Sequence, residues 1–190
     1  MVALRSRAAL YAALRTRFAE RGVMEVETPL LASSPVTDPH IDAIATANPL
    51  SGDHPFYLQT SPEYAMKRLL AAGSGAIFQI CKAFRGSEHG ARHNPEFTML
   101  EWYEPGVALE SLMDEVAAVI RLAVGDKAVE HMTYRSAFLT AVGLDPHTAS
   151  LDALRDCASQ HMDINFESDE RDTWLQLIMS AVVEPSFDGE

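Results

Sequence analysis

In the segment FQICKAFRGSEHGARHNPEFTMLEWY, at residues 78–103, two strand-like runs flank a polar loop, which predicts a pair of neighbouring strands at the centre of the fold. Residues 76–84 and 97–103 have the aromatic and apolar content typical of strands. Alternate side chains of a strand lie on opposite faces. One face of the second run therefore presents a carboxylate among aromatic rings, with Phe97, Met99, Glu101 and Tyr103. The opposite face presents Thr98, Leu100 and Trp102.

Basic side chains lie close to this carboxylate in the sequence. The first run ends at Arg85, and the loop continues through Glu88, Arg92 and His93. An arginine suits a phosphate, because its planar fork donates two parallel hydrogen bonds and stays charged. The simpler alternative is a surface ion pair between Arg85 and Glu88 beside an ordinary turn at residues 93–95. Taken one at a time, these residues favour the simpler alternative.

Upstream, the pattern predicts a first helix and then short strands. Leu10, Leu14 and Phe18 recur at helical spacing before Gly22, which predicts a helix over residues 2–21. Residues 23–31 alternate apolar and acidic side chains like a strand, and Pro29 places that strand at an edge or an interface. A loop over residues 33–39 and two further strands complete the segment. Those strands are expected at residues 41–46 and 56–59.

The rest of the chain is predicted to be helical around the central strand pair. Ser61 is the expected N-cap of a helix whose first residue is Pro62. Downstream of Gly106 the pattern predicts helices over residues 109–124, 134–142, 151–161 and 169–183. A strand region followed by a run of helices predicts an α+β fold.

Charge and composition limit the possible partners. The formal net charge is −12, and residues 151–190 hold ten acidic and only two basic side chains. That balance opposes non-specific nucleic-acid binding, which depends on Lys and Arg. No apolar run is long enough to span a bilayer, and arginines interrupt the alanine-rich N-terminal stretch, so we expect a cytoplasmic protein with no membrane partner. Cys81 and Cys157 lack metal-ligand spacing and are expected to be reduced.

Three segments in order resemble one family. The stretch at 78–103 resembles motif 2 of class II aminoacyl-tRNA synthetases, and HNPEFTMLEWY at 93–103 is similar to the lysine-specific branch. GVMEVETPLL at 22–31 resembles motif 1, and TSPEYAMKRLL at 60–70 resembles the segment between the two motifs. The resemblance implies a class II synthetase-like antiparallel sheet flanked by helices.

The resemblance also implies site residues. Arg85 would be the catalytic residue, binding the ATP α-phosphate and the amino-acid carboxylate. The remaining ATP contacts would come from Glu88, His93, Asn94 and Phe97, with Phe97 stacked on adenine. The lysine or β-lysine site would consist of Ser61, Glu63, Glu101 and Tyr103. Glu101 and Tyr103 would hold the side-chain ammonium, and Glu63 the amino group nearer the carboxylate. Pro29 would lie in a homodimer interface.

The implied reaction forms an aminoacyl adenylate from ATP and lysine or β-lysine, with Mg²⁺ bridging the phosphates and no metal ligand within this chain. The first helix leads directly into motif 1, without the anticodon-binding barrel of lysyl-tRNA synthetases. That arrangement resembles the branch that attaches β-lysine to elongation factor P. The alternatives are a fragment of a lysyl-tRNA synthetase that charges tRNA-Lys, or a non-catalytic module for dimerisation or for binding lysine or a nucleotide.

Two departures from the family pattern shape the expectation. The motif 2 acid that normally follows the arginine by two residues is replaced by Ser87, with Glu88 beside it. Residues 1–190 are expected to form one partial catalytic domain, with motif 2 at 78–103 and helices over 107–184. Motif 3 and a magnesium-binding acidic strand are absent from the sequence. We therefore expect a fold that is incomplete at its C-terminal end and a chain that is inactive alone.

Overall fold

The computed structural model describes residues 1–50, 52–87, 90 and 93–187. The chain divides into two compact units, Met1–Lys127 and Ala128–Glu190. The first unit contains, in chain order, α1 (Val2–Glu20), β1 (Met24–Glu25), β2 (Leu31–Ala32), β3 (Ala45–Thr46), β4 (Phe56–Leu58), α2 (Glu63–Ala71), β5 (Ile77–Phe84), β6 (Glu96–Tyr103) and α3 (Leu109–Val124). The second contains α4 (Tyr134–Val142), α5 (Leu151–His161), α6 (Arg171–Ile178) and two short helical turns, Met179–Val183 and Glu184–Phe187.

The two strands predicted from the central stretch form the antiparallel pair β5–β6. Their register runs from Ile77 opposite Tyr103 to Phe84 opposite Glu96. β1 adds to the other edge of β5 in parallel, so this sheet has the order β1-β5-β6 and mixed directions. The prediction of an α+β fold with helices around a sheet is confirmed.

α1 covers one face of this sheet, and the predicted helix is confirmed. Phe18 is fully buried, and its ring stacks on Phe78 with 4.4 Å between the ring centroids. Trp102 packs against the same ring at 5.6 Å. The helix ends where Gly22 adopts φ +72°, a backbone conformation that a residue with a Cβ rarely adopts. This apolar layer fixes which face of β5–β6 remains for a binding site.

The predicted continuous strand over residues 23–31 is wrong. β1 ends at Glu25, and the chain crosses to a second sheet of order β2-β4-β3, where Leu31 lies opposite Leu58. Pro29, which has no N–H to donate to a strand neighbour, lies in the crossing segment. Within that segment the buried Thr28 hydroxyl donates to Gln79 Oε1 over 3.0 Å. Because the two halves pair with different sheets, one alternating pattern produced two short strands.

Two further boundaries differ from the prediction. The strand expected at residues 41–46 is only β3, because Asp42 pairs instead with Gly86 through an isolated bridge. α2 begins at Glu63 with Pro62 as its N-cap, so Ser61 is not the N-cap. The Ser61 hydroxyl still accepts a hydrogen bond from the Glu63 N–H at 3.1 Å.

The second unit has its own helical core. Phe138, Leu154, Trp174 and Ile178 are buried together there. The predicted helices over residues 134–142 and 151–161 are confirmed by α4 and α5. The helix expected over residues 169–183 is shorter, because α6 ends at Ile178 and gives way to a π-helical turn. In the described part of the chain, every helix is too short or too polar to cross a membrane.

Candidate active site

A cleft of about 910 Å³ lies on the face of β5–β6 that α1 leaves uncovered. The β6 strand contributes Glu101 and Tyr103 to its wall, and Arg85 enters directly after β5. The start of α2 contributes Glu63, and the loop at residues 36–41 forms the remaining side. Strand alternation explains this placement, because Glu101 and Tyr103 are two residues apart and share a face. Arg85 and Glu101 therefore face the same hollow.

Glu101 accepts a hydrogen bond on each carboxylate oxygen. Ser61 Oγ donates to Glu101 Oε2 over 2.7 Å, and Tyr103 Oη donates to Oε1 over 2.6 Å. Both donors are neutral hydroxyls, so they orient the carboxylate without cancelling its charge. Each oxygen retains acceptor capacity beyond the bond it already makes. The two hydroxyls therefore fix the orientation of the carboxylate.

Tyr103 is fixed in its donor role by its surroundings. Burial raises the pKa of the Tyr103 phenol, and the hydrogen bond to Glu101 raises that pKa further. A negative charge on the phenolate would lie beside two carboxylates, Glu101 and Glu63. The hydroxyl therefore keeps its proton at neutral pH and continues to donate to Glu101.

Arg85 is held by backbone and ring contacts. Its Nε donates to the Thr60 carbonyl over 3.3 Å, and its guanidinium carbon lies 5.2 Å from the centre of the Phe97 ring. The Arg85 backbone N–H donates to the Pro95 carbonyl over 2.9 Å. Stacking on an aromatic ring restrains the plane of a guanidinium while leaving its charge in place. This cation shares the cleft with the Glu101 anion.

Glu63 is paired with a cation of its own helix. Lys67 Nζ hydrogen-bonds Glu63 Oε1, and the four-residue separation places both side chains on one face of α2. Both line the cleft, with side chains 56% and 44% exposed for Lys67 and Glu63 respectively. The hydrogen bond to Glu63 raises the pKa of Lys67, and Glu101 adds to that effect.

The structure brings most of the sequence-predicted residues together. Ser61, Glu63, Arg85, Glu101 and Tyr103 all line the cleft, and Phe97 contacts Arg85. Their roles toward a substrate remain predictions.

The other predicted residues lie elsewhere. Asn94 lines a different cleft, of about 580 Å³, together with residues of α1 and α3. His93 lies in the loop between β5 and β6, where its backbone pairs with Gly90. Glu88 lies outside the described residues. Pro29 is exposed, and its predicted place in a dimer interface remains a prediction.

Sequence reasoning missed two features of the cleft. One is Lys67, although its spacing of four from Glu63 on a helix is the ordinary signal of a side-chain pair. The other is the hydrogen bond of 2.6 Å between Thr37 Oγ1 and Tyr64 Oη, which ties the loop at 36–41 to α2. No local sequence pattern predicts that contact, because 27 positions separate the two residues.

No cluster of three His, Cys, Asp or Glu side chains that could hold a metal ion occurs among residues 1–50, 52–87, 90 and 93–187.

The chain belongs to the family of class II tRNA synthetases (D, K and N), whose model matches residues 2–173. Among curated proteins it is similar to elongation factor P–(R)-β-lysine ligase of Pseudoalteromonas translucida (strain TAC 125), at 48% identity over 97% of this chain and 58% of the relative. The ligases of that name from Avibacterium paragallinarum and Vibrio vulnificus (strain YJ016) are 46% and 47% identical, over 95% of this chain in both cases and 57% and 58% of those proteins. The chain thus spans less than two thirds of the length of these relatives.

Proposed function

We propose that this chain forms the lysine- and α-phosphate-binding part of an active site that activates lysine or β-lysine with ATP and transfers it to a lysine of elongation factor P. The observation that carries the proposal is the shared cleft of Arg85 and Glu101, with Glu101 held by two neutral hydroxyls. Elongation factor P as the acceptor and β-lysine as a substrate are proposed because the similar ligases are named for them.

The anionic side of the cleft matches the cationic part of a lysine. An alkylammonium that leaves water needs a partnered anion and further acceptors. Glu101 offers a charge that hydroxyl donors leave uncancelled, and Glu63 offers a second carboxylate for the other amino group. An uncharged side chain of equal length would leave the Glu101 carboxylate without a counterion. The proposed site therefore selects its substrate by charge.

The cationic side of the cleft matches the reacting groups. In the proposed step, a substrate carboxylate oxygen forms a bond to the α-phosphorus of ATP, the bond to the leaving phosphate breaks, and pyrophosphate departs. Negative charge concentrates on the α-phosphate oxygens, where a fixed guanidinium lowers the barrier. Arg85 is already restrained by Thr60 and Phe97, so little reorganisation is required. Mg²⁺, when bound together with ATP, would offset negative charge on the phosphates.

The second step consumes the adenylate. An acceptor lysine amine attacks the carbonyl carbon of the adenylate, AMP leaves, and the amine loses a proton to solvent or a nearby base. A protein acceptor is favoured over tRNA-Lys by the net charge of −12. We propose that this reaction takes place in the cytoplasm. We also propose that the chain forms a homodimer through the segment around Pro29.

Calorimetric titration of the chain with lysine, (R)-β-lysine and norleucine tests the charge selection. We expect Glu101→Gln to weaken lysine binding at least about tenfold, because the amide carries no charge for the ammonium. Glu96→Gln is the matched control, since Glu96 lies on the same strand and pairs with Lys82 at 2.7 Å. Equal lysine affinity in Glu101→Gln and wild type would contradict the assignment of Glu101.

Pyrophosphate exchange separates an enzyme from a binding module. A lysine-dependent exchange rate that falls at least about a hundredfold in Arg85→Ala supports the adenylate-forming role. Arg15→Ala, which removes an exposed arginine paired with Glu25, is the control. Lysine binding without exchange in wild type would show that this chain alone binds lysine without activating it.

A further inference from the structure

The helix α2 carries a cation that is chemically the same as the group the proposed substrate would present. Lys67 ends in a primary alkylammonium, and so does a lysine side chain. That ammonium hydrogen-bonds Glu63 Oε1 inside the cleft. The carboxylate assigned to the substrate amino group is therefore already occupied by a protein amine.

We propose that Lys67 is a built-in competitor for the amino-group subsite at Glu63, which the substrate amino group displaces on binding. This inference rests on the proposed function, because it takes Glu63 as part of the lysine site. As a consequence, the site favours ligands that carry two ammonium groups. A ligand gains the Glu63 contact only if it brings its own second ammonium to replace Lys67.

The exposure of Lys67 and Glu63 allows a substrate ammonium to replace Lys67 at the Glu63 carboxylate. Both side chains are about half exposed, so Lys67 can rotate into water without leaving a buried charge behind. Pairs at this spacing on an exposed helix stabilise the helix only weakly. Glu101, by contrast, receives its hydrogen bonds from the neutral hydroxyls of Ser61 and Tyr103. The two carboxylates of the cleft thus differ in how readily they accept a cation.

The test measures by calorimetry how tightly two ligands bind to wild type, Lys67→Met, Glu63→Gln and the variant with both substitutions. L-Lysine carries two ammonium groups, whereas 6-aminohexanoate lacks the one assigned to Glu63. Lys67→Met keeps the side-chain length and removes the charge. We expect it to tighten lysine binding about two- to fivefold and to leave 6-aminohexanoate within about twofold of wild type. In a Glu63→Gln background, the same substitution should give no gain for lysine.

Arg68→Met is the matched control. It removes one positive charge from the next residue of α2, and Arg68 does not line the cleft. Weaker or unchanged lysine binding in Lys67→Met overturns the inference, as does an equal gain for both ligands or a gain that persists with Glu63→Gln. If wild type binds lysine through Glu101 but any of these contradicting results is found, the competitor role of Lys67 is wrong and the proposed function stands. If neither wild type nor Lys67→Met binds lysine, the proposed function fails with it.

Discussion

Two glutamates on opposite sides of the same sheet are held in opposite ways. Glu115 of α3 is 2% exposed and receives Arg17 Nη2 on Oε2 at 2.6 Å, with Arg21 at 3.3 Å. Glu101 of β6 is only half-buried and receives neutral hydroxyls from Ser61 and Tyr103. The first carboxylate is neutralised within the fold, whereas the second is oriented but keeps its charge. Partner type therefore distinguishes a structural glutamate from one suited to a cationic ligand.

Arg17→Met should produce the largest loss of stability. It leaves the Glu115 carboxylate in a buried position with only the longer contact to Arg21. Because Arg17 is itself about one third exposed, we expect a loss of about 2 kcal/mol, below the cost of breaking a fully buried pair. Urea denaturation measures the loss, and lysine affinity should stay within twofold of wild type.

Arg15→Met is the matched control for that experiment, since Arg15 lies on the same helix and pairs with the exposed Glu25. It should cost less than about 1 kcal/mol. If the two variants lost the same stability, the contrast between buried and exposed pairs in this unit would be incorrect.

Tyr103→Phe should have a smaller effect, visible in the pH dependence of stability. The pKa of Tyr103 is raised in the folded state by burial and by Glu101. Its stabilising contribution is therefore complete below the pKa of the unfolded chain, about 10, and is lost as pH rises toward the folded pKa. Wild type should lose stability above pH 10 at up to about 1.4 kcal/mol per pH unit more steeply than Tyr103→Phe.

Urea midpoints collected between pH 8 and 11 measure this difference, and Tyr11→Phe is a suitable control on α1. Parallel curves for wild type and Tyr103→Phe would show that Tyr103 does not depend on the Glu101 carboxylate as described.

Local periodicity predicted the long elements of this chain. The face of β6 that carries Glu101 followed from the strand period alone. The helices α1, α3, α4 and α5 match their predicted spans closely. Each of these elements is long enough for its own pattern to identify it.

The short elements and the cleft contacts depend on distant partners. Residues 23–31 alternate like one strand, yet the chain pairs with Phe78 at one end and with Leu58 at the other. The pairing of Asp42 with Gly86 shortened another strand for the same reason. Ser61 is predicted to be a helix N-cap, but Pro62 takes that position, and the Ser61 hydroxyl donates to Glu101, 40 positions away. No local pattern contains such partners.

In the proposed function, Glu101 and Arg85 receive opposite ends of one lysine. The most direct test is a crystal structure of this chain grown with lysine. We expect the side-chain ammonium at about 3 Å from the Glu101 carboxylate, with the lysine carboxylate turned toward Arg85. A lysine bound in the reverse orientation, or Arg85 and Glu101 facing opposite sides of the sheet, would contradict it.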